Sequence, residues 1–351
     1  MADKVVQWES AQDGLDKLTL NEAPVPSPGE DEVLVKISTV SLNYRDTEVI
    51  MGLYTHHKSV DHSSAIVPCS DACGTIVKVG SGLKVPWKVG DRVLSTFSQT
   101  HLTGQVQARD LQYGMGLPLP GVLATYRVFP STGLVKAPNS LTDEEASTLA
   151  IASVTAWMSL FTFDKSPLNG KTVLIQGTGG VAIAGLQIAK ASGGKVIVTS
   201  SSDEKLERAR KLGADYTINY RKEPQWSKKV LEYTNSEGAD VIFELGGAST
   251  IRQSFDCVAF GGLIACIGYL GGKQDAPEDR TNVNVLALSR NVTLKGILNG
   301  PRDEFEELCS FYEKHGIKPV VDKTFKFDEA KEALKYLFSG GHFGKVIVKV
   351  A

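Results

Sequence analysis

Thr172-Val173-Leu174-Ile175-Gln176-Gly177-Thr178-Gly179-Gly180-Val181-Ala182 is the stretch that decides the fold. Thr172–Gln176 reads as a buried strand and Val181–Ala191 as a helix. The turn between them has the spacing G-x-G-x-x-A, the pattern of a dinucleotide-binding turn. Each small residue has a physical task. Gly177 permits the tight turn, Gly179 lets the backbone approach a pyrophosphate, and Ala182 allows the helix to pack closely on the strand. The helix N-terminus then offers free N–H groups and the positive end of its dipole to phosphates. Gly177, Thr178, Gly179, Gly180 and Val181 are therefore the expected pyrophosphate contacts. The stretch 172–189 carries no charge and approaches the length of a membrane span. Its glycines and two glutamines favour a buried strand, a turn and a buried helix instead, so no membrane partner is expected.

Downstream, strands and helices alternate. Lys195–Ser200 reads as a strand, Asp203–Leu212 as a helix stopped by Gly213, and Tyr216–Ile218 as a short strand. Gln225–Thr234 reads as a helix, Asp240–Leu245 as a strand, Thr250–Ala259 as a helix and Leu263–Gly268 as a strand. Such alternation predicts a parallel sheet covered on both faces. Asn291–Leu298 adds a strand, Glu304–Lys314 and Asp328–Phe338 are helices, and Lys345–Val350 is a closing strand. Upstream the character is different. Thr142 followed by Glu145 predicts a capping box opening a helix, but the first 135 residues read mostly as strands and loops. Val33, Val35 and Ile37 alternate with Leu34, Lys36 and Ser38 in a strand pattern. Gln99–Pro120 is a long polar segment without periodicity, a length that often marks a functional lid.

The second strand of the alternating half bears on the cofactor. An NAD site usually places Asp or Glu about 20 residues beyond the first glycine, on the ribose 2′-hydroxyl. Here the strand ends Val198-Thr199-Ser200-Ser201-Ser202 with no carboxylate at its tip, and Asp203 and Lys205 follow in the next turn. Hydroxyls, helix N–H groups and a lysine suit a 2′-phosphate, which favours NADP(H). A structural reading of the same residues is a Ser201–Glu204 capping box with Lys205 in solvent.

At about 150 residues per domain, 351 residues suggest two domains. The 38 basic and 40 acidic residues leave a net charge of −2, which argues against a nucleic-acid partner. With 42% hydrophobic and 22% charged residues the chain has globular composition. Five cysteines, an odd number in a long chain, are no disulfide framework. MADKVVQWES lacks a basic start and an apolar core, so no secretory leader is expected and a cytoplasmic location is.

The chain resembles the medium-chain dehydrogenase/reductase superfamily over essentially its whole length. The resemblance rests on Pro26-Ser27-Pro28-Gly29-Glu30-Asp31-Glu32-Val33, Asn43-Tyr44-Arg45-Asp46, Gly52-Leu53-Tyr54 and Asp71-Ala72-Cys73-Gly74-Thr75-Ile76-Val77. Val89-Gly90-Asp91-Arg92-Val93, Thr155-Ala156-Trp157 and Gly344-Lys345-Val346-Ile347-Val348 add to it. It implies an α/β protein with a GroES-like, β-rich catalytic domain (residues 1–135 and 305–351) and a Rossmann domain with a doubly wound parallel sheet (136–304). It further implies cofactor contacts at Thr155, Tyr220, Gly268, Tyr269, Gly344 and Lys345, and a homodimer, with Asn291–Leu298 as a candidate edge.

The departures from the family pattern carry the chemistry. Zinc alcohol dehydrogenases of this superfamily hold a catalytic metal with a cysteine, a Gly-His-Glu motif and a second cysteine. Asn43 stands at the first of these places, Ser70-Asp71 at the His-Glu pair, and Ile151 or a neighbour at the last. Phe97–Pro130 holds none of the cysteines of a structural zinc lobe. Amide, hydroxyl and aliphatic groups do not replace thiolate and imidazole on zinc. The chain therefore resembles the zinc-free branch of quinone oxidoreductases and enoyl reductases, and no metal is expected. Cys69 and Cys73 read as buried beside a strand, and His56, His57, Asp61 and His62 as a surface loop.

Without a Lewis acid, charge developing on a substrate oxygen needs hydrogen-bond donors and a proton source. By resemblance Tyr54 is the donor, Asn43 a second donor or a group orienting the nicotinamide, and Thr155 a contact of the nicotinamide amide. Tyr44 is a rival donor, and a packed aromatic is the structural alternative for Tyr54. The expected activity is NADPH-dependent reduction of a quinone or an activated C=C bond. An alcohol or carbonyl oxidoreductase and a non-catalytic NADPH-binding protein are the alternatives.

Overall fold

The computed structural model describes residues 4–54, 65–276 and 282–351. The chain forms two compact units, Met1–Val154 with Asn299–Ala351, and Thr155–Leu298.

The first unit begins with β1 (Lys4–Glu9) paired antiparallel to β2 (Thr19–Pro24). Then follow β3 (Glu32–Leu42), β4 (Asp71–Val79), β5 (Arg92–Ser95), β6 (Tyr126–Pro130) and β7 (Leu134–Lys136). The alternation at Val33, Val35 and Ile37 does form a strand, and all three residues belong to the unit's apolar core. One helix in this half has no counterpart in the sequence reading. It is α1 (Tyr44–Ile50), seven residues long, too short to show a periodic pattern. Its start is fixed locally. The Asp46 carboxylate accepts the Asn43 N–H at 2.8 Å, the return half of a capping box.

The expected capping box at α2 (Asp143–Ser147) is present: Glu145 N–H donates to Thr142 Oγ1 at 3.2 Å, and Thr142 N–H to Glu145 Oε2 at 2.9 Å. This helix docks on the first unit. Arg92 Nε donates to Asp143 at 2.6 Å, and Thr39 Oγ1 donates to the Asp143 carbonyl at 2.8 Å. The first unit runs through Val154 and resumes at Asn299, where the sequence reading sets its boundaries at 135/136 and 304/305.

The second unit, which α3 (Val154–Phe161) leads into, holds β8 (Thr172–Gln176), α4 (Gly180–Ala191), β9 (Lys195–Ser200) and α5 (Asp203–Lys211). It continues with β10 (Tyr216–Asn219), β11 (Ala239–Glu244), β12 (Val258–Cys266) and β13 (Thr293–Gly296). The six strands form one parallel sheet in the order β10-β9-β8-β11-β12-β13. Adjacent residues of β11 show that both faces are covered. Ile242 packs with Trp226 and Phe255, whereas the Phe243 ring lies against Gly185 of α4. The expected strand Asn291–Leu298 shortens to β13 at the sheet edge, and a helix at Val283–Ser289 precedes it.

The chain returns to the first unit as helix Arg302–His315, β14 (Val321–Lys326), helix Ala330–Phe338 and β15 (Lys345–Lys349). β15 pairs antiparallel with β3, so the sheet runs β14-β15-β3-β4-β5-β7 with β6 also on β3. Among the described residues no helix is long and apolar enough to cross a membrane.

Candidate active site

In the second unit the sheet order reverses around β8: the chain goes outward through β9 and β10 on one side and through β11, β12 and β13 on the other. Ligands of open parallel sheets bind at such a switch, beyond the strand C-termini. The glycine-rich turn lies there. Gly177 has φ +80°, a conformation that favours glycine. Gly179, the N-cap of α4, has φ −78° and ψ −172°, which any residue can adopt. The backbone conformation therefore does not by itself require glycine at the second position. No side chain caps α4, so its first N–H groups are not taken by a cap.

At the tip of β9, Ser200 is buried and Ser202, not Ser201, caps α5, accepting the Lys205 N–H at 3.3 Å. In place of the Ser201–Glu204 box of the sequence reading there is a single N-cap bond, one residue further on. Tyr220 N–H donates to the Ser200 carbonyl at 3.1 Å and leaves its side chain 43% exposed. Asp203, the nearest carboxylate, is engaged by Asn219 Nδ2 at 2.8 Å and by Lys222 Nζ at 2.6 Å. Lys222 was not legible as a neighbour of this site, because it arrives from the turn after β10.

A second missed residue is Glu244, 1% exposed at the end of β11. It accepts Gln176 Nε2 at 2.8 Å, and the N–H groups of Gly246 and Gly247 at 3.0 Å each, together with Ser254 and Thr250 hydroxyls. Gln176 Oε1 in turn accepts the Leu245 N–H at 3.0 Å. This network ties the ends of β8 and β11 and shapes the loop beside the glycine turn. Its sequence signal was a polar residue closing each of two apolar runs, TVLIQ and VIFE. Gly268 N–H reaches the Glu244 carbonyl at 3.2 Å, and Lys273 Nζ lies 4.4 Å from the centroid of the Tyr269 ring. Thr155 is buried in α3.

In the first unit, register brings three strand ends together. Val346 of β15 faces Leu42 of β3, and Ser41 of β3 faces Asp71 of β4. Lys345, Asn43 and Asp71 thus meet from opposite ends of the sequence. Lys345 Nζ donates to the Leu42 carbonyl and to Asn43 Oδ1, each at 2.6 Å. Asp71 accepts the Ser70 hydroxyl at 2.6 Å and the Ile151 N–H at 3.1 Å. Gly344 has φ +85°, and a Cβ there would stand 2.5 Å from the Val320 carbonyl oxygen, so glycine is what lets β15 enter here. Lys345, expected as a cofactor contact, buries its ammonium inside this cluster.

The cluster is deeply buried: Asn43 is 9% exposed, Lys345 6%, and Asp46 and Asp71 0%. Burial pushes the Asp71 carboxyl up, with Lys345 pulling it back, and pushes the Lys345 ammonium down, with Asp71 and then Asp46 holding it up. Burial raises Asp46 from 3.8 to about 6. The Cys69 thiol is likewise pushed well up by burial.

The Asp46 shift makes a stability prediction. Its folded value lies above the unfolded one, so the folded protein keeps a proton that the unfolded chain releases between about pH 4 and 6. Stability falls as pH rises through that window, and the whole penalty is present above it. Asp46→Asn keeps an acceptor for the Asn43 N–H and removes the charge. It should flatten the fall, by up to about 3 kcal/mol between pH 4 and 7. Denaturant unfolding across that range is the check, and parallel pH profiles for the two proteins contradict it.

Tyr54 is 8% exposed and packs with Val49, Ile66 and Leu117. The Arg45 guanidinium stands 4.7 Å from its ring centroid and donates to the Met115 and Leu117 carbonyls at 3.1 and 2.7 Å. Tyr44, the rival donor, is 40% exposed and stacks on Phe338 at 6.3 Å. His56, His57, Asp61 and His62 lie outside the described residues.

The places that the resemblance sets for zinc ligands, Asn43, Ser70-Asp71 and Ile151 or a neighbour, do lie together in the first unit. Their chemistry does not suit zinc. Ile151 contributes an N–H, Asn43 an amide oxygen already held by an ammonium, and Asp71 a carboxylate already accepting two donors. Cys73 makes its contact with Asp143 at 3.5 Å, and both Cys69 and Cys73 are buried. Among the described residues no three His, Cys, Asp or Glu side chains group as metal ligands.

Two family models match the chain: an alcohol dehydrogenase GroES-like domain over residues 29–139, and a zinc-binding dehydrogenase domain over residues 180–314. A zinc-type alcohol dehydrogenase-like protein of Schizosaccharomyces pombe is 41% identical over 341 residues, spanning 96% of each chain. An acryloyl-coenzyme A reductase of Sulfurisphaera tokodaii is 28% identical over 339 residues, 94% of this chain and 96% of the relative. The solved structure of a Sinorhizobium meliloti protein named after the alcohol dehydrogenases superposes with a TM-score of 0.89 at 40% identity, covering 100% of both chains. With the switch-point glycine turn on a parallel sheet and the antiparallel β-rich unit, these matches make the chain an oxidoreductase of the medium-chain dehydrogenase/reductase superfamily.

Proposed function

We propose that the protein is an NADPH-dependent reductase of activated C=C bonds or quinones that works without zinc. The observation that carries this reading is the content of the converged site. At the places the resemblance sets for zinc ligands, this chain has a carboxamide, a carboxylate and an aliphatic residue, with the buried Lys345 ammonium beside them. Asn43 Nδ2 is buried beside the Asp71 carboxylate without a close hydrogen bond, a costly state that an acceptor on a bound molecule would relieve. When bound, the reduced nicotinamide supplies a hydride to the β-carbon of the substrate. The chain's own residues serve the charge that then gathers on the substrate oxygen. Asn43 Nδ2 and the Tyr54 hydroxyl donate to it, and Tyr54 is the proton source. The S. tokodaii relative, named for reduction of an acryloyl thioester, bears the same kind of activated C=C substrate in its name. The alcohol-dehydrogenase reading has the S. pombe relative's name in its favour and the donor set against it.

The preference for NADPH rests on Ser200, Ser201, Lys205 and Tyr220, with Lys222 added by the structure. Asp203, the carboxylate that could serve a ribose 2′-hydroxyl, already accepts from Asn219 and Lys222. The pyrophosphate is assigned to Gly177, Thr178, Gly179, Gly180 and Val181, and the nicotinamide half to Thr155, Gly268 and Tyr269. A charge-assisted hydrogen bond contributes about 1.5–3 kcal/mol. Lys205→Ala is therefore expected to weaken NADPH binding roughly 10- to 150-fold and to leave NADH nearly unchanged. Fluorescence titration with both cofactors checks it. Equal losses for both would assign Lys205 to helix stability.

A further inference from the structure

We infer that Lys345 is a positioning residue: by holding Asn43 Oδ1 it turns the carboxamide so that Nδ2 is the end presented to a substrate oxygen. The inference rests on the proposed role of Asn43 as a donor. A carboxamide can enter a site either way round, as an acceptor through Oδ1 or a donor through Nδ2. Only the donor end stabilises developing negative charge. An ammonium has three donors and no acceptor, so it admits only Oδ1 beside it. Lys345 Nζ stands 2.6 Å from that oxygen. The opposite end, Nδ2, lies beside the Asp71 carboxylate but makes no close hydrogen bond, although Asn43 is 9% exposed.

The holding group is itself fixed. Lys345 opens β15, and the pairing of Val346 with Leu42 places its Nζ on the Leu42 carbonyl at 2.6 Å. The Asp71 carboxylate, across β3 in β4, favours the charged form, and Asp46 adds to it. Asp71 in turn is fixed by Ser70 and by the Ile151 N–H. A neutral Lys345 amine could accept from Nδ2 and let the amide reverse, so the carboxylates matter through the ammonium they sustain.

A double-mutant cycle on NADPH-dependent enone reduction tests this. Asn43→Ala alone tests the donor role, with an expected fall in kcat/KM on the order of 10²-fold; an unchanged value overturns that reading. Lys345→Met keeps the length of the stem and removes the ammonium. It should lower kcat/KM at least about 10-fold in the Asn43 background, lower kcat with it, and add nothing in the Asn43→Ala background. Equal factors in both backgrounds overturn the positioning role while leaving the donor role standing. Should Lys345→Met fail to fold, neutron diffraction from the unaltered protein decides. Two deuterons on the Asn43 nitrogen facing away from Lys345 support the inference, and the nitrogen facing Lys345 overturns it.

Discussion

Tyr54→Phe is expected to lower kcat and kcat/KM for an enone together, by on the order of 10²-fold, with NADPH affinity unchanged. The hydroxyl is assigned to the transition state, where charge reaches the substrate oxygen, and not to cofactor binding. The surroundings make the substitution clean. The ring lies among Val49, Ile66 and Leu117 with the Arg45 guanidinium 4.7 Å from its centroid. Phe keeps that packing and the cation–π contact, and loses only the oxygen. Quinones should suffer less, since their reduction yields an aromatic product whose oxygens water can protonate. Steady-state kinetics on both substrate classes checks the pattern. Full enone activity in Tyr54→Phe would make the residue structural. Tyr44, exposed against Phe338, would then have to be tested as the donor.

Gly179→Val is expected to abolish cofactor binding while the protein still folds. The backbone at Gly179, φ −78° and ψ −172°, is open to a β-branched residue, so the substitution introduces no left-handed strain. The added side chain stands at the mouth of α4, whose N-terminal N–H groups are the assigned pyrophosphate site, and keeps a phosphate from reaching them. Gly177 would be a poor choice for the same test, because at φ +80° a side chain strains the turn itself. Calorimetric titration with NADPH together with thermal unfolding reads both arms. Wild-type affinity in a folded Gly179→Val protein places the pyrophosphate elsewhere.

The parts of the fold set by local rules were legible in the sequence. The strand–glycine–helix run at 172–191 was, and so was the Thr142–Glu145 cap, because a buried parallel strand and a capping box are written in neighbouring residues. The α1 helix was not, since seven residues after Asn43 carry a cap but no period. The site was legible as a set of residues and not as an arrangement. Asn43, Ser70-Asp71 and Ile151 stood out where zinc ligands would be, and Lys345 stood out in the closing motif. Their meeting depends on the sheet order β15-β3-β4, which joins strands from the two ends of the chain. The bonds of Lys345 to Leu42 and Asn43 were therefore not legible in the sequence. Glu244 was passed over because a carboxylate at a strand end reads as solvated, whereas here five donors hold it buried.

The most direct test of the central claim is NADPH oxidation by protein stripped with chelator and assayed for metal. Enones, enoyl thioesters and quinones are the substrates, and alcohols with NADP+ the comparison. Turnover of at least one unsaturated or quinone substrate is expected at far less than one zinc per chain, undiminished by chelation. Stoichiometric zinc, with alcohol oxidation that is lost on chelation and restored by zinc, would contradict it.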